Sequence, residues 1–292
     1  LKMICQIARC DTVKEAAQSL FISQPALTNR IREAERRLNT QLFVRRGRKL
    51  IISNAGKRLL QSAKKILEEL ARAEYDIARL TDGIEQVLRL GLPHYASFAW
   101  LPSAMQYFSD KLPHTELEIT AETALQPLSS LYAGDVDMAM ISSASKQLTV
   151  DEALYKTVCI VEDELMACLS IQHRHANKAF LRAEDFAEEV YVTNSTIPEK
   201  DREYELFFKP ENVLPRKVLQ VGFNDAIIAL VKANAGVSIF SQRQASGLNQ
   251  HDEIKTIKLG EQGLTIYWHL VYVKQASIEG PALLLAELLK KY

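Results

Sequence analysis

Ser23-Gln24-Pro25-Ala26-Leu27-Thr28-Asn29-Arg30-Ile31-Arg32 decides how the first part of this chain folds. Ala26, Leu27, Ile31, Ala34 and Leu38 recur at helical spacing and make an apolar face, while Pro25, Thr28, Asn29, Arg32 and Arg36 fall on the opposite side. Ser23 stands where a capping hydroxyl is wanted, and Pro25 lies in the first turn, where its missing N–H costs nothing. The outer face offers amide, hydroxyl and guanidinium groups suited to base edges and phosphates.

Upstream, residues 1–9 and 13–20 read as two short helices, with Asp11 or Thr12 to cap the second, and Phe21-Ile22-Ser23 as a tight turn. Helix, turn and recognition helix together predict a helix-turn-helix. The chain starts at Leu1 inside the first of these helices, so further residues are expected before it. Downstream, residues 41–53 give two short apolar runs around the cationic turn Arg45-Arg46-Gly47-Arg48-Lys49, which reads as a wing. Its cations are placed to neutralise phosphates or enter a narrow minor groove; a basic hairpin tip with no partner is the plainer alternative. From Leu59 the apolar positions Leu59, Ala63, Ile66, Leu70, Ala73, Ile77 and Leu80 alternate steps of four and three, a heptad seam. Such a stripe is expected to dimerise as a coiled coil or else to pack on the chain's own body.

Composition agrees with a two-part molecule. The 292 residues, 47% hydrophobic and 25% charged, hold no apolar run near the roughly eighteen needed to span a bilayer, and two or three cores are expected. Residues 1–60 carry 13 Lys and Arg against 4 Asp and Glu, a net +9, so the remainder of this neutral chain is −9. A basic module on an acidic body predicts a polyanion partner for the first part only. No basic start, apolar middle and small-residue cleavage site occurs at the front, so the expected compartment is the cytoplasm.

Beyond residue 86 strands alternate with helices: strand 87–92, helix 98–109, strand 117–120, helix 128–132 and strand 138–141, then strand 189–193, helix 198–208, strand 218–221, helix 225–233 and strand 237–240. These are two βαβ blocks, with 165–171 as the crossing and 265–273 plus a helix at 281–290 as the return. The predicted class is α/β: a winged helix-turn-helix over 1–56, a dimerising linker helix over 57–84, and a two-lobed ligand domain over 85–292, with lobe I at 85–160 and 265–292 and lobe II at 161–264. Small ligands of such lobes sit beyond strand ends. Ser97, Thr123, Asn194, Ser195, Thr196 and Asn224 fall at predicted strand-to-helix junctions and are the candidate ligand contacts, although the same residues serve equally as caps and turn formers.

Other chemistries find little support. Cys5, Cys10, Cys159 and Cys168 form no CxxC pair; buried thiols are the simplest reading, with a redox pair between Cys159 and Cys168 as the alternative. His173-Arg174-His175 suggests a metal pair, but no carboxylate or cysteine at ligand spacing accompanies it, and no metal is expected. Neither a phosphate loop nor a GxSxG elbow occurs. An enzyme on the same two-lobed fold is the alternative of a different class; it would not need a basic reader and a heptad helix ahead of its lobes.

Taken together, Ala16-Ala17, Ser23 to Arg32, Leu42-Phe43-Val44-Arg45 and Ser53-Asn54-Ala55-Gly56, followed by Leu88-Arg89-Leu90-Gly91 and Leu131 to Ala139, resemble the LysR-type transcriptional regulators from end to end. The resemblance implies a periplasmic-binding-protein-like effector domain, a small-molecule co-inducer, double-stranded promoter DNA as target, a homodimer assembling to a homotetramer, and contact with RNA polymerase. It places Gln24, Pro25, Thr28 and Asn29 near bases and Ser23, Arg32, Arg45, Arg46 and Arg48 on the DNA backbone. Asn29 and Arg30 stand where the family often has Arg and Gln, so the target sequence is not inherited; Asn29 is expected to read an A·T pair. Around Trp100-Leu101-Pro102 the chain is most similar to the methionine-biosynthesis regulators, which implies homocysteine, or another small amino acid or carboxylate, as effector.

Overall fold

The computed structural model describes residues 1–10, 12–46, 49–96, 98–194, 200–246 and 253–291, and the chain divides into two units, Leu1–Gly83 and Ile84–Tyr292. In the first, α1 (Lys2–Ile7), α2 (Val13–Ser19) and α3 (Gln24–Leu38) precede a hairpin of β1 (Phe43–Arg46) and β2 (Lys49–Ile52), and α4 (Asn54–Thr81) closes the unit. Each start has a chemical cause. Thr12 Oγ1 accepts the Glu15 N–H at the head of α2, and Ser23 Oγ accepts the Ala26 N–H at the head of α3. Asn39, at φ 48°, ends α3 in the left-handed conformation that asparagine tolerates.

Ile4, Ile7, Ala16, Ala17, Leu27, Ile31, Leu42, Phe43 and Ala63 form the core of this unit. Leu38, expected on the buried face of α3, is instead 51% exposed at the last residue of the helix. Gly56 is required where α4 meets the hairpin: a Cβ there would lie 2.2 Å from the Leu42 carbonyl oxygen.

The second unit holds β3 (Gln86–Gly91), α5 (Leu101–Lys111), β4 (Thr115–Thr120), α6 (Pro127–Ala133), β5 (Met138–Ser143), β6 (Tyr155–Ser170), β7 (Phe180–Leu181), β8 (Val190–Thr193), β9 (Lys217–Gln220), α7 (Asn224–Lys232), β10 (Ser238–Ser241), α8 (Gln242–Ser246), β11 (Ile254–Leu259), β12 (Thr265–Val273) and α9 (Ala276–Leu289). Strands β4, β3 and β5 are parallel, and β12 runs antiparallel to β5 and β6. The long strand β6 makes two lobes from one chain. Up to Glu164 it pairs with β12; from Leu165 onward its partners are β10 and β11. Strands β8 and β9 pair with each other in parallel, and a bridge from Tyr191 to Val237 joins them to the second lobe.

The helix expected over 198–208 is described as a short π-helical turn at Tyr204–Phe208, and 195–199 lie outside the described residues. Cys159 and Cys168 both lie on β6. Nine residues of extended strand put about 30 Å between them, far beyond the reach of a disulfide, so they are not a redox pair. Burial pushes the Cys168 thiol up to about 12. Among the described residues no helix is long and apolar enough to cross a membrane.

Candidate nucleic-acid interface and ligand cleft

On α3, Gln24, Pro25, Asn29, Arg30 and Arg32 are exposed, so this face of the helix is free of the unit's own core. Thr28 differs: its hydroxyl donates to the Gln24 carbonyl at 3.0 Å, and the side chain borders a small depression with Ile31 and Phe43. Arg36 turns back on its own helix, where its guanidinium bonds Glu33 at 2.9 Å beside Arg37 at 2.8 Å. The Arg36 hydrogen bond, with that of Arg37, holds the Glu33 carboxyl below the usual carboxylate range.

The wing is set by a residue that sequence reading left out. Glu35 Oε1 accepts the Leu42 N–H at 2.8 Å and the Phe43 N–H at 3.1 Å, tying the start of β1 to α3. Ser53 caps α4 by accepting the Gly56 N–H at 3.0 Å and donates to the Gln41 carbonyl at 2.6 Å. Arg45 and Arg46 lie on β1 opposite Leu50 and Lys49; Arg48 lies outside the described residues.

Along α4 the heptad seam divides. Ala63 is fully buried in the unit's own core and Leu59 packs against it, which removes both from the expected dimer face. Ile66, Leu70, Ile77 and Leu80 remain, each about half exposed or more, at 52%, 48%, 63% and 57%, with Ala73 exposed between them.

In the second unit, Ser97, Ser195 and Thr196 lie outside the described residues. Thr123 is buried; its hydroxyl donates to the Thr120 carbonyl at 2.7 Å and lies close to Gly91, so it shapes a turn. Asn194 and Asn224 do come together, the Asn194 amide donating to Asn224 Oδ1 at 2.9 Å. The Asn224 amide then donates to the His94 carbonyl at 3.4 Å in the other lobe. Burial holds the His94 imidazole below the usual histidine range. Two more links join the lobes: Ser143 Oγ donates to Asp201 at 2.9 Å, and the Arg202 guanidinium lies 4.0 Å from the centre of the Tyr95 ring.

Beside these links a cavity of about 480 Å³ opens beyond the carboxyl ends of β3 and β5, bordered by Tyr95, Gln126, Ser142, Thr149, Lys200 and Asp201 among others. Its charged groups come from lobe II and its hydroxyls from lobe I. Ser142 is 7% exposed, and its Oγ has no hydrogen-bond partner among the described residues. Buried hydroxyls are rarely left so. Ser142 directly follows the strand expected over 138–141, a signal that could have found it, but nothing in the sequence around Lys200 or Asp201 marks them.

His173 and His175 also gain a carboxylate that spacing concealed. Glu189 arrives from another segment, 3.2 Å from His173 Nε2, and bonds Arg174 at 2.6 Å. Among the described residues no group of three or more His, Cys, Asp or Glu is arranged to hold a metal ion.

Residues 1–57 match the model for bacterial regulatory helix-turn-helix proteins of the lysR family, and 81–292 match the LysR substrate binding domain. The transcriptional regulator MetR of Haemophilus influenzae is 25% identical over 265 residues, 90% of this chain and 84% of that one. MetR of Escherichia coli is 23% identical over 261 residues, covering 89% and 80%. Among solved structures, full-length CbnR in complex with its target DNA superposes with a TM-score of 0.70 at 19% identity, covering 99% of this chain and 97% of that one. The regulatory domain of MetR from N. meningitidis gives 0.61 at 18%, covering 70% and 93%. Its curated relatives are regulators rather than enzymes. With one model matched over the reader and the other over nearly all the rest, the chain belongs to the LysR family: a DNA-binding transcriptional regulator with an effector-binding domain.

Proposed function

We propose that this regulator acts in the cytoplasm as a homotetramer that takes a small amino acid in the cleft beyond β3 and β5. The observation that carries the ligand class is the cavity of about 480 Å³ with Lys200 and Asp201 side by side at its edge. An ammonium and a carboxylate together suit the two charges of an α-amino acid, the unpartnered Ser142 hydroxyl offers a further hydrogen bond, and Tyr95, Leu128 and Ile141 offer apolar wall for a side chain. Homocysteine is the first candidate, since relatives of 23–25% identity are named MetR. Titration of the full-length protein with homocysteine, followed by calorimetry, tests it. Saturable binding weakened by Lys200→Ala supports the reading; no heat with any amino acid sinks it.

In this proposal residues 1–56 read DNA, 57–84 dimerise, and 85–292 sense the effector through lobes divided at 160/161 and 264/265. Gln24, Pro25, Thr28 and Asn29 face bases; Ser23, Arg32, Arg45, Arg46 and Arg48 face phosphates. Ile66, Leu70, Ala73, Ile77 and Leu80 form the coiled-coil seam, since an apolar stripe left open on a lone helix is stabilised by a second copy. Effector bound between the lobes alters the Ser143–Asp201, Tyr95–Arg202 and Asn224–His94 links, changing reader spacing, DNA bend and access of RNA polymerase. A footprint and bend unchanged by saturating effector would overturn that route.

A further inference from the structure

The root of the wing, residues 41–43, is held between two helices. On one side Glu35 of α3 takes both the Leu42 and the Phe43 N–H on the single oxygen Oε1. On the other, at the head of α4, the Leu42 carbonyl accepts the Ser53 N–H at 2.9 Å and the Gln41 carbonyl accepts the Ser53 hydroxyl. Packing leaves the spacing on the α3 side open: a depression of about 140 Å³ lies there, bordered by Thr28, Ile31 and Arg32 of α3 and by Phe43 and Leu50 of the hairpin. Close-packed interiors leave few such voids, so at this edge the distance from α3 to β1 is set by the two hydrogen bonds of Glu35. Glu33, two residues earlier, behaves as an acid in a basic unit ordinarily does and pairs with Arg36 and Arg37. Among the described residues Glu35 has no such cation, and its carboxylate is given to peptide N–H groups alone.

From this geometry we infer that Glu35 is the positioning residue of the wing: by fixing the start of β1 against α3 it presents the hairpin cations to the DNA phosphates, and it acts through the hairpin rather than by touching DNA. The inference rests on the proposed reading of Arg45, Arg46 and Arg48 as phosphate contacts. Charge alone gives the opposite sign, since a carboxylate beside a polyanion repels it and its removal would tighten binding. A hairpin with a loose root keeps its cations, but ordering them on the duplex then costs conformational entropy that the anchored hairpin does not lose.

Full-length protein is titrated, at several salt concentrations, onto a labelled operator duplex that it has selected from random sequences and onto a random duplex, with fluorescence anisotropy as the readout. Glu35→Ala is expected to weaken both alike by about tenfold at about 150 mM salt and to lower the salt slope by about 1, while the operator-to-random ratio stays within about twofold because α3 itself is intact. Glu35→Gln removes the same charge but keeps an acceptor oxygen, so it stays within about threefold of the unsubstituted protein with its slope unchanged. With Arg45, Arg46 and Arg48 all replaced by alanine, Glu35→Ala adds less than about twofold. Tighter or unchanged binding by Glu35→Ala, equal losses in Glu35→Ala and Glu35→Gln, a collapsed operator-to-random ratio, or a full further loss without the wing arginines each overturns the inference. If the three arginine replacements themselves leave the slope unchanged, the wing contact of the proposed function falls, and the inference with it.

Discussion

Gly56 and Gly236 do the same job in the two units, yet they meet different kinds of neighbour. A Cβ on Gly56 would strike the Leu42 carbonyl oxygen at 2.2 Å and Ile52 at 2.7 Å, both in the hairpin just before α4. A Cβ on Gly236 would strike the Val190 carbonyl oxygen at 2.5 Å and Val192 at 2.7 Å, on strand β8 with a strand and a helix intervening. The first unit is thus assembled largely by contacts between neighbouring elements, within a stretch short enough that even α1 and α4, its two ends, share one core. The second depends on strands that find partners far along the chain, as β6 does with β12. Local assembly leaves one face of α3 exposed, whereas remote assembly ties the two lobes together through the single long strand β6.

The largest effects should come from those glycines. Gly56→Val and Gly236→Val should each destabilise their own unit by about 2–3 kcal/mol through overpacking against backbone. Because Trp100 and Trp268 both belong to the second unit, tryptophan emission should fall early on heating only in Gly236→Val. Gly56→Val should lose DNA retention at temperatures where emission is unchanged. Both variants moving both signals alike would break the contrast.

Next come the two carboxylates that organise backbone. Asp163→Ala strands the buried Trp268 indole N–H and two part-buried backbone N–H groups, an expected loss of about 2–4 kcal/mol in urea unfolding. Glu35→Ala frees only the part-buried N–H groups of Leu42 and Phe43, for about 1–2 kcal/mol. An equal cost at the two sites would mean that the buried Trp268 indole bond is not what separates them. On the reading face, Asn29→Ala should cost about 1–3 kcal/mol at one base position of the preferred operator, while Arg32→Ala should mainly lower the salt slope of binding by about 1. Uniform weakening on operator and random DNA by Asn29→Ala would remove it from base reading.

The smallest effect is on pH. All six histidines lie in the second unit, and burial lowers the imidazoles of His94, His175 and His269. Their folded forms bind protons less readily than the unfolded chain, so stability is full above the unfolded histidine value of about 6.5 and declines as pH falls below it. Acidification from about pH 7 to 5.5 should therefore lower the melting temperature read by tryptophan emission, and His269→Gln should flatten the slope. A melting temperature that rises on acidification contradicts the sign.

The Ser23 cap and the turn before it were legible because each acts within a few residues: Ser23 reaches Ala26, and Thr12 reaches Glu15. Many strands and helices of the second unit were legible for the same reason, since apolar alternation is a local signal, but β7, α8 and β11 were not, and the helix expected over 198–208 is a short turn. Leu38 and Ala63 misled because periodicity says which residues share a face, not what covers that face or how far the cover extends. Thr123 misled because a hydroxyl at a strand end serves a turn as readily as a ligand. Glu35, Ser142, Lys200 and Asp201 went unremarked because their partners or neighbours are remote in the chain.

What the sequence by itself determined is the helix-turn-helix, the basic and acidic halves, the heptad stripe and many of the strands and helices, all set by spacings of one to four residues and by charge. Only the tertiary structure decided that β6 changes sheets after Glu164, that Asn224 reaches the other lobe at His94 and that Ser142 faces a cavity edged by Lys200 and Asp201. The physical reason is that a cleft is made by chain closure: its walls come from segments whose mutual distance no local preference records.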